Sequence, residues 1–206
     1  MGLLDFLFGK RIRAKVEVIP DLMWITAEGK YAGLEREIEE RSGSQTVAVL
    51  LVAHFADVLA RLEEIASRQK SEVPIKSVIA SDLNSSLAGS LQFSESATID
   101  ILVGERHPIR TVDDHLHDFA DKLPCRCRFM HFVSLEDAIV KTFAGDSVAQ
   151  TLKQLGMRDD QAIQHRMVYR RIRSAQKRIQ GKVVGSLEAS SAEEWFAKNC
   201  PDWTGS

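Results

Sequence analysis

The stretch Thr46-Val-Ala-Val-Leu-Leu-Val-Ala-His-Phe-Ala-Asp-Val-Leu-Ala-Arg-Leu-Glu-Glu-Ile-Ala-Ser-Arg68 decides the fold. It opens on a near-continuous apolar run, Thr46 to Val52, as expected of a strand buried on both faces in a parallel sheet. Phe55, Val58, Leu59, Leu62 and Ile65 then fall on one face of a helix over 55–68. Strand followed by helix is the βα unit of an α/β domain. Upstream, Tyr31, Leu34 and Ile38 recur at helical spacing over 31–41. Lys15 to Ile19 alternates like a strand and is closed by Pro20. Downstream, 76–80 and 97–103 read as strands and 83–91 as a loop or weak helix. A helix over 111–123 turns Val112, Leu116, Phe119 and Leu123 to the core, and 125–133 closes as a strand. The four strands from Thr46 onward, with helices between them, predict a small, mostly parallel, doubly wound sheet.

From Ser134 the pattern is all helix. Ser134-Leu-Glu-Asp137 is a capping pattern, with a hydroxyl to accept from exposed amides and acids for a first turn. Helices are expected over 135–144 and 146–155, the second stopped by Gly156. A long helix is expected from Asp159 to Lys182, acidic at its start and basic at its end, as the helix dipole prefers. A linker over 185–191 leads to a short helix over 192–200 carrying Trp195 and Phe196. The chain thus divides into 1–13, an apolar then basic segment; 14–133, the α/β domain; 134–184, a helical segment; and 185–206, linker and final helix.

The formal charge of -2 over 206 residues points to neither nucleic acid nor membrane, so the placement of charge matters more than its sum. Three cysteines, Cys125, Cys127 and Cys200, form no disulfide framework and suit a reducing cytosol. No apolar run approaches the roughly 20 residues of a membrane span. The opening segment is too short for a secretory signal, and its basic residues follow the apolar ones instead of preceding them.

Two stretches resemble a known family. Phe132-Val-Ser-Leu-Glu-Asp-Ala-Ile-Val-Lys-Thr-Phe-Ala-Gly-Asp146 leads to Leu155-Gly-Met157, Gln161-Ala-Ile-Gln-His165 and Ser174-Ala-Gln-Lys-Arg178. This is similar to the SecA preprotein translocase ATPase family where its second motor domain enters the helical scaffold. There the order is S-[LM]-E-D-x-L-x-R-I-F-x-x-D, L-G-M, E-A-I-E-H and A-Q-[KR]-[KR]-[VI]-E. Order and spacing agree over about 45 residues, too many for chance helical patterning. Upstream, Ile101-Leu-Val-Gly-Glu-Arg-His-Pro-Ile-Arg-Thr-Val-Asp-Asp-His-Leu116 looks like I-G-T-E-R-H-E-S-R-R-I-D-N-Q-L. The matching residues are Gly104, Glu105, Arg106, His107, Arg110 and Asp113, then Ser134, Glu136, Asp137, Asp146, Gly156, His165 and Gln176. The resemblance implies a RecA-like sheet followed by a scaffold-like helical extension.

The departures are as informative. Where the family continues R-G-R-S-G-R-Q-G-D-x-G and supplies arginines to ATP, this chain has His117-Asp-Phe-Ala-Asp-Lys-Leu-Pro-Cys-Arg126. It also has no G-x-x-x-x-G-K-[ST] loop and no D-E-A-D-type box. The family's N-M-A-G-R-G-T-D-I has no counterpart beyond Ser81-Asp-Leu-Asn-Ser-Ser86. Phosphoryl transfer depends on positioned charge around the phosphates and Mg²⁺. The reading is therefore a protein that acts by binding a partner and does not hydrolyse ATP by itself, with no catalytic residue, metal or cofactor expected. Residual ATP or ADP binding is the less favoured alternative.

Leu3, Leu4, Phe6, Leu7 and Phe8, followed by Lys10, Arg11 and Arg13, have the makings of a membrane or partner contact. A frayed terminus or a helix on the protein's own sheet is the competing reading. The expected place is the cytoplasm, with a peripheral site at the inner face of the cell membrane as a further option. Arg166, Arg170, Arg171, Arg173, Lys177 and Arg178 read first as a solvated helix face and only second as a grip on nucleic acid. Cys125 and Cys127, with His115, His117 and His131, lack the second pair a zinc site requires. The resemblance implies an accessory or regulatory protein of preprotein translocation, with translocase subunits or preproteins as partners. Two alternatives are a nucleotide or nucleic-acid binder on a degenerate RecA-like fold, and an unrelated enzyme using Glu105 and His107.

Overall fold

The structure, a computed structural model, describes residues 15–144, 146–183, 185 and 187–202. The candidate contact residues Leu3, Leu4, Phe6, Leu7, Phe8, Lys10, Arg11 and Arg13 lie outside the described residues. In chain order the elements are β1 (Val16–Val18), β2 (Leu22–Trp24), α1 (Ala27–Ser42), β3 (Thr46–Ala53), α2 (Ala56–Arg68), β4 (Ile75–Ile79), α3 (Ser85–Ser90), β5 (Thr98–Val103), α4 (Arg110–Lys122), β6 (Arg126–Ser134), α5 (Ala138–Lys141), α6 (Asp146–Gln154), α7 (Arg166–Gln180) and α8 (Ala192–Asn199). A single 3₁₀ turn, Ala80–Asp82, follows β4.

All strand pairs are parallel, in the order β1-β6-β5-β3-β4, with β2 also on β6. β1 pairs with residues 127–129 of β6 and β2 with residues 132–134, so the two are successive pieces of one edge, broken at Pro20. The sheet is thus α/β and doubly wound, as the sequence predicts. Of the sheet's strands, β2 has no signal in the sequence, because three residues after a proline are too few for a period. From β3 the chain moves outward to β4, then returns to the other side of β3 to form β5. The C-terminal ends of β3 and β5 therefore flank a topological switch point, the usual place for a ligand crevice in such sheets.

Two apolar layers enclose the sheet. Ile101, Val103, Cys127 and Phe129 meet Leu116, Phe119, Ala120 and Leu123 of α4 and its end. Leu51, Leu102, Met130 and Phe132 meet Leu34 and Ile38 of α1 and Leu62 and Ile65 of α2. A third cluster at the strand C-termini joins Met23, Val133 and Phe55 to Ile172, Ala175 and Ile179 of α7 and to Trp195 of α8. The helical extension is thereby packed on the sheet end that carries the candidate site.

Three expectations need correction. The long helix starts at Arg166 and not at Asp159, because His165 caps it, its Nδ1 accepting from Met167 N at 3.0 Å. The preceding residues are drawn out to bridge the sheet edge, with Ile163 N donating to Met23 O at 2.7 Å. The helix after Ser134 is only Ala138–Lys141. Val112 is 39% exposed, and its neighbour Asp113 is buried in the place expected of an apolar residue.

Candidate functional site

Asp113 and Arg106 form the centre of a buried polar cluster at the C-terminal edge of the sheet. Arg106 leaves the end of β5 and grips Asp21 with two nitrogens, Nη2 to Oδ1 at 2.5 Å and Nε to Oδ2 at 3.1 Å. Its Nη1 donates to Asp113 Oδ2 at 2.6 Å. Asp113, in the first turn of α4, also accepts from the backbone N–H of His107 at 3.2 Å. It pairs with His54 Nε2 at 3.1 Å, and His131 Nε2 stands 3.7 Å away. From α7, Gln176 Nε2 donates to Asp113 Oδ2 at 3.1 Å and to the His107 carbonyl at 2.8 Å. Arg173 of the same helix reaches Asp114 at 2.7 Å.

Burial alone would raise the Asp113 carboxyl, but Arg106, then His131 and His54, hold it well below the usual carboxylate range. The Arg106 guanidinium is likewise held above its ordinary value: burial opposes the charge, and Asp113 and Asp21 outweigh it. Burial pushes His107 down to about 3, with His54 adding to the effect. Burial, then Arg106, pushes His131 down to about 4. Both rings are neutral at neutral pH. The cluster is a buried guanidinium held between two carboxylates, and Gln176 and Arg173 make it a latch between sheet and helical extension.

The second cluster holds Glu105, Lys30 and the Ser134–Asp137 turn. Glu105 Oε1 accepts from the N–H groups of His54 and Phe55, both at 3.0 Å, at the start of α2. Those bonds and the charge of Lys30 favour the carboxylate, yet burial wins and lifts Glu105 to about 8. Ser134 Oγ donates to Asp137 Oδ1 at 2.7 Å, where the sequence pattern had the hydroxyl accepting from amides. Asp137 also binds Lys30 Nζ at 2.8 Å, and Glu136 Oε2 accepts from Ala27 N at 2.7 Å, beside the Thr26 cap of α1. Lys30 stays charged: burial disfavours its ammonium, but Asp137 more than offsets this.

Two cavities open here. A crevice of about 710 Å³ at the switch point is lined by His54, His107, Ser81, Asn84 and His115. Leu187 to Ala189 and Trp195, from the end of the chain, also line it. A smaller one of about 170 Å³ is lined by Lys30, Tyr31, Glu105, Asp57 and Glu193. Glu105 and His107 thus face different cavities, so the acid–base pairing considered for them is not assembled. Of the other matched residues, Gly104 abuts Val58 and Leu62 of α2, and Arg110 pairs with Asp114 on the exposed face of α4. Asp146 starts α6, Gly156 ends it with a positive φ of 86°, and His165 caps α7. These three stand apart from the two clusters. Asp21, Lys30 and His54 were missed by the sequence reading, which placed His131 only in a rejected metal set and Arg173 on a solvated helix face. Lys30 among helix glycines and a His directly after the β3 apolar run were the available signals.

Cys125 and Cys127 are buried with free thiols, and burial raises Cys127 to about 12. Among the described residues no group of three or more His, Cys, Asp or Glu side chains is arranged to hold a metal ion. Among the same residues no helix is long and apolar enough to cross a membrane.

A parallel α/β domain with a helical extension latched to its C-terminal edge is the class of protein that fold and site define. The SecA P-loop domain model matches residues 56–160, which include the β5–α4 junction and the Ser134–Asp137 turn. The protein translocase subunit SecA of Pseudomonas fluorescens (strain Pf0-1) is 30% identical over 142 residues, 69% of this chain. Those of Pseudomonas putida (strain W619) and Ectopseudomonas mendocina (strain ymp) are each 31% identical over 158 residues, 74% of it. The chain belongs to the SecA P-loop domain family. The match spans only 16–17% of these relatives' length.

Proposed function

We propose that this chain works in protein translocation by binding another protein, as an accessory or regulatory relative of SecA that does not hydrolyse ATP on its own. The observation that carries the reading is the stretch 117–126, where the family places its phosphate-binding arginines. Here α4 runs on to Lys122, and Phe119, Ala120 and Leu123 are buried against the sheet. The guanidinium of Arg106, just past the end of β5, is committed to Asp21 and Asp113. What the chain keeps is the latch between sheet and helical extension. Partners are translocase subunits or preproteins, and the place of action is the cytoplasm with a peripheral membrane contact through residues 3–13.

The test is an affinity pull-down of the tagged full chain from a nuclease-treated lysate of its own cells, read by mass spectrometry, beside a phosphate-release assay. Recovery of translocase subunits or secretory precursors with no ATP turnover is expected. Turnover by the purified chain, or recovery of none of these proteins, overturns it. The Glu105 and His107 geometry gives an unrelated enzyme no support.

A further inference from the structure

We infer that the free edge of β1, with the adjoining face of α7, is a docking site for an extended, acidic segment of a partner protein. The inference deepens the reading that this chain acts by binding protein. Among the described residues β1 is at the end of the sheet and pairs only with β6. Toward β6, the carbonyl of Lys15 accepts from Cys127 N and the N–H of Ile19 donates to Phe129 O. Backbone groups alternate sides along a strand, so those of Val16 and Val18 point the other way. Among the described residues neither has a partner there. Such an edge is a template for an added strand.

Beside the edge lies a groove of about 350 Å³ lined by Val18, Ile19, Pro20, Asp21, Tyr169 and the arginines Arg166 and Arg170. Val18 is 53% exposed and Tyr169 39%. Asp21 is buried and spent on Arg106. Tyr169 has Arg106 and Arg173 at 5.6 and 5.2 Å from its ring centroid, which fixes it as a rigid wall. Arg166 and Arg170, one helical turn apart, have no ion pair among the described residues. The groove therefore offers a strand edge, an apolar floor and two uncompensated positive charges. Alternating apolar and acidic residues complement all three. The chain's own opening segment, with Lys10, Arg11 and Arg13, carries the wrong sign of charge to be the occupant.

The test is fluorescence anisotropy of a labelled peptide of alternating valine and glutamate, titrated with the full chain. Binding that weakens with salt is expected, together with at least about a tenfold loss in the double variant Arg166→Glu, Arg170→Glu. N-methylation of alternate peptide residues, which blocks one hydrogen-bonding edge and leaves the protein untouched, should abolish binding. Val18→Pro, checked for folding by circular dichroism, should do the same from the protein side. Equal binding of a valine–lysine peptide, or of the N-methylated peptide, overturns the site, as does no binding. Preference for a single-stranded oligonucleotide or for a peptide of residues 1–14 also overturns it. A pull-down that still recovers translocase subunits with the double arginine variant would sink this site while leaving the proposed function standing.

Discussion

Asp113 is a carboxylate with no exposure, placed where a helix facing a sheet normally carries an apolar side chain. It is tolerated because every direction is occupied by a donor: Arg106, the His107 amide, His54 and Gln176. Removing one member of such a pair strands the other charge in a low-dielectric interior. In Asp113→Ala, however, Asp21 still grips the Arg106 guanidinium, so the expected cost is about 1–3 kcal/mol, measured by urea unfolding, from the buried donors left without their acceptor. Buried groups of both clusters set the pH profile. Glu105 keeps its proton in the folded state up to about 8, above its unfolded value, so its contribution falls as pH rises toward 8. His107 and His131, lowered to about 3 and 4, and His117, also lowered by burial, act oppositely. Their contributions fall as pH drops below the ordinary histidine range of about 6.5. Below that point the histidines outnumber Glu105, and above it Glu105 acts alone. Stability should therefore peak near about pH 6.5 and decline by about 2 kcal/mol toward pH 8. Glu105→Gln keeps the acceptor for the His54 and Phe55 amides and should flatten the alkaline limb. An unchanged limb in urea melts of this variant would show that another group governs it.

Among the elements, α1 comes close to the sheet edge, because Gly33 rests on the Trp24 ring, which itself stacks on Phe132 at 5.6 Å. A Cβ at Gly33 would stand inside the ring. Alanine is favoured over glycine in a helix by about 1 kcal/mol, yet overpacking costs about 1–3 kcal/mol. Gly33→Ala should thus lower the melting temperature. Gly181→Ala, at the end of α7 with ordinary φ and nothing closer than 3.6 Å, should leave it within about 0.5 kcal/mol of the parent. Calorimetry on the two variants separates close approach from helix propensity. Strands β3, β5 and β6 and helix α2 were legible in the sequence because their apolar periods are long and unbroken. The start of α7 was not, since Asp159 and Asp160 imitate a helix N-terminus while the pairing of Ile163 with Met23 draws the chain out straight. The candidate site was half legible. Glu105, Arg106, His107 and Asp113 were marked by their resemblance to a motif. Asp21 lies between β1 and β2, His54 follows β3 and His131 is inside β6, and only the parallel topology brings them together. Val112 and Asp113 exchanged their expected roles because the pattern alone cannot reveal a buried ion pair.

At the scale of the whole molecule, the chain's end closes on its middle. Trp195 is 1% exposed and lies with its ring 5.6 Å from His107, inside the cluster that joins β2, β6, α5 and α7. Asp57 N donates to Ser190 O at 3.1 Å, tying the segment before α8 to the start of α2. These contacts make the final helix part of the core and the wall of the switch-point crevice. If so, Trp195→Ala should behave as a core truncation costing about 3–5 kcal/mol. For a chain of this size that corresponds to a fall of roughly 10 °C in melting temperature. Hydrogen exchange should then accelerate at residues 187–199 and also in α7 and at the end of β6, because one cluster serves them all. A loss below about 1 kcal/mol, with faster exchange confined to residues 187–199, would instead make α8 a detachable flap over the crevice. The crevice would then be gated by the chain's own end, and the latch of Gln176 and Arg173 on α4 would have to hold α7 in place without it.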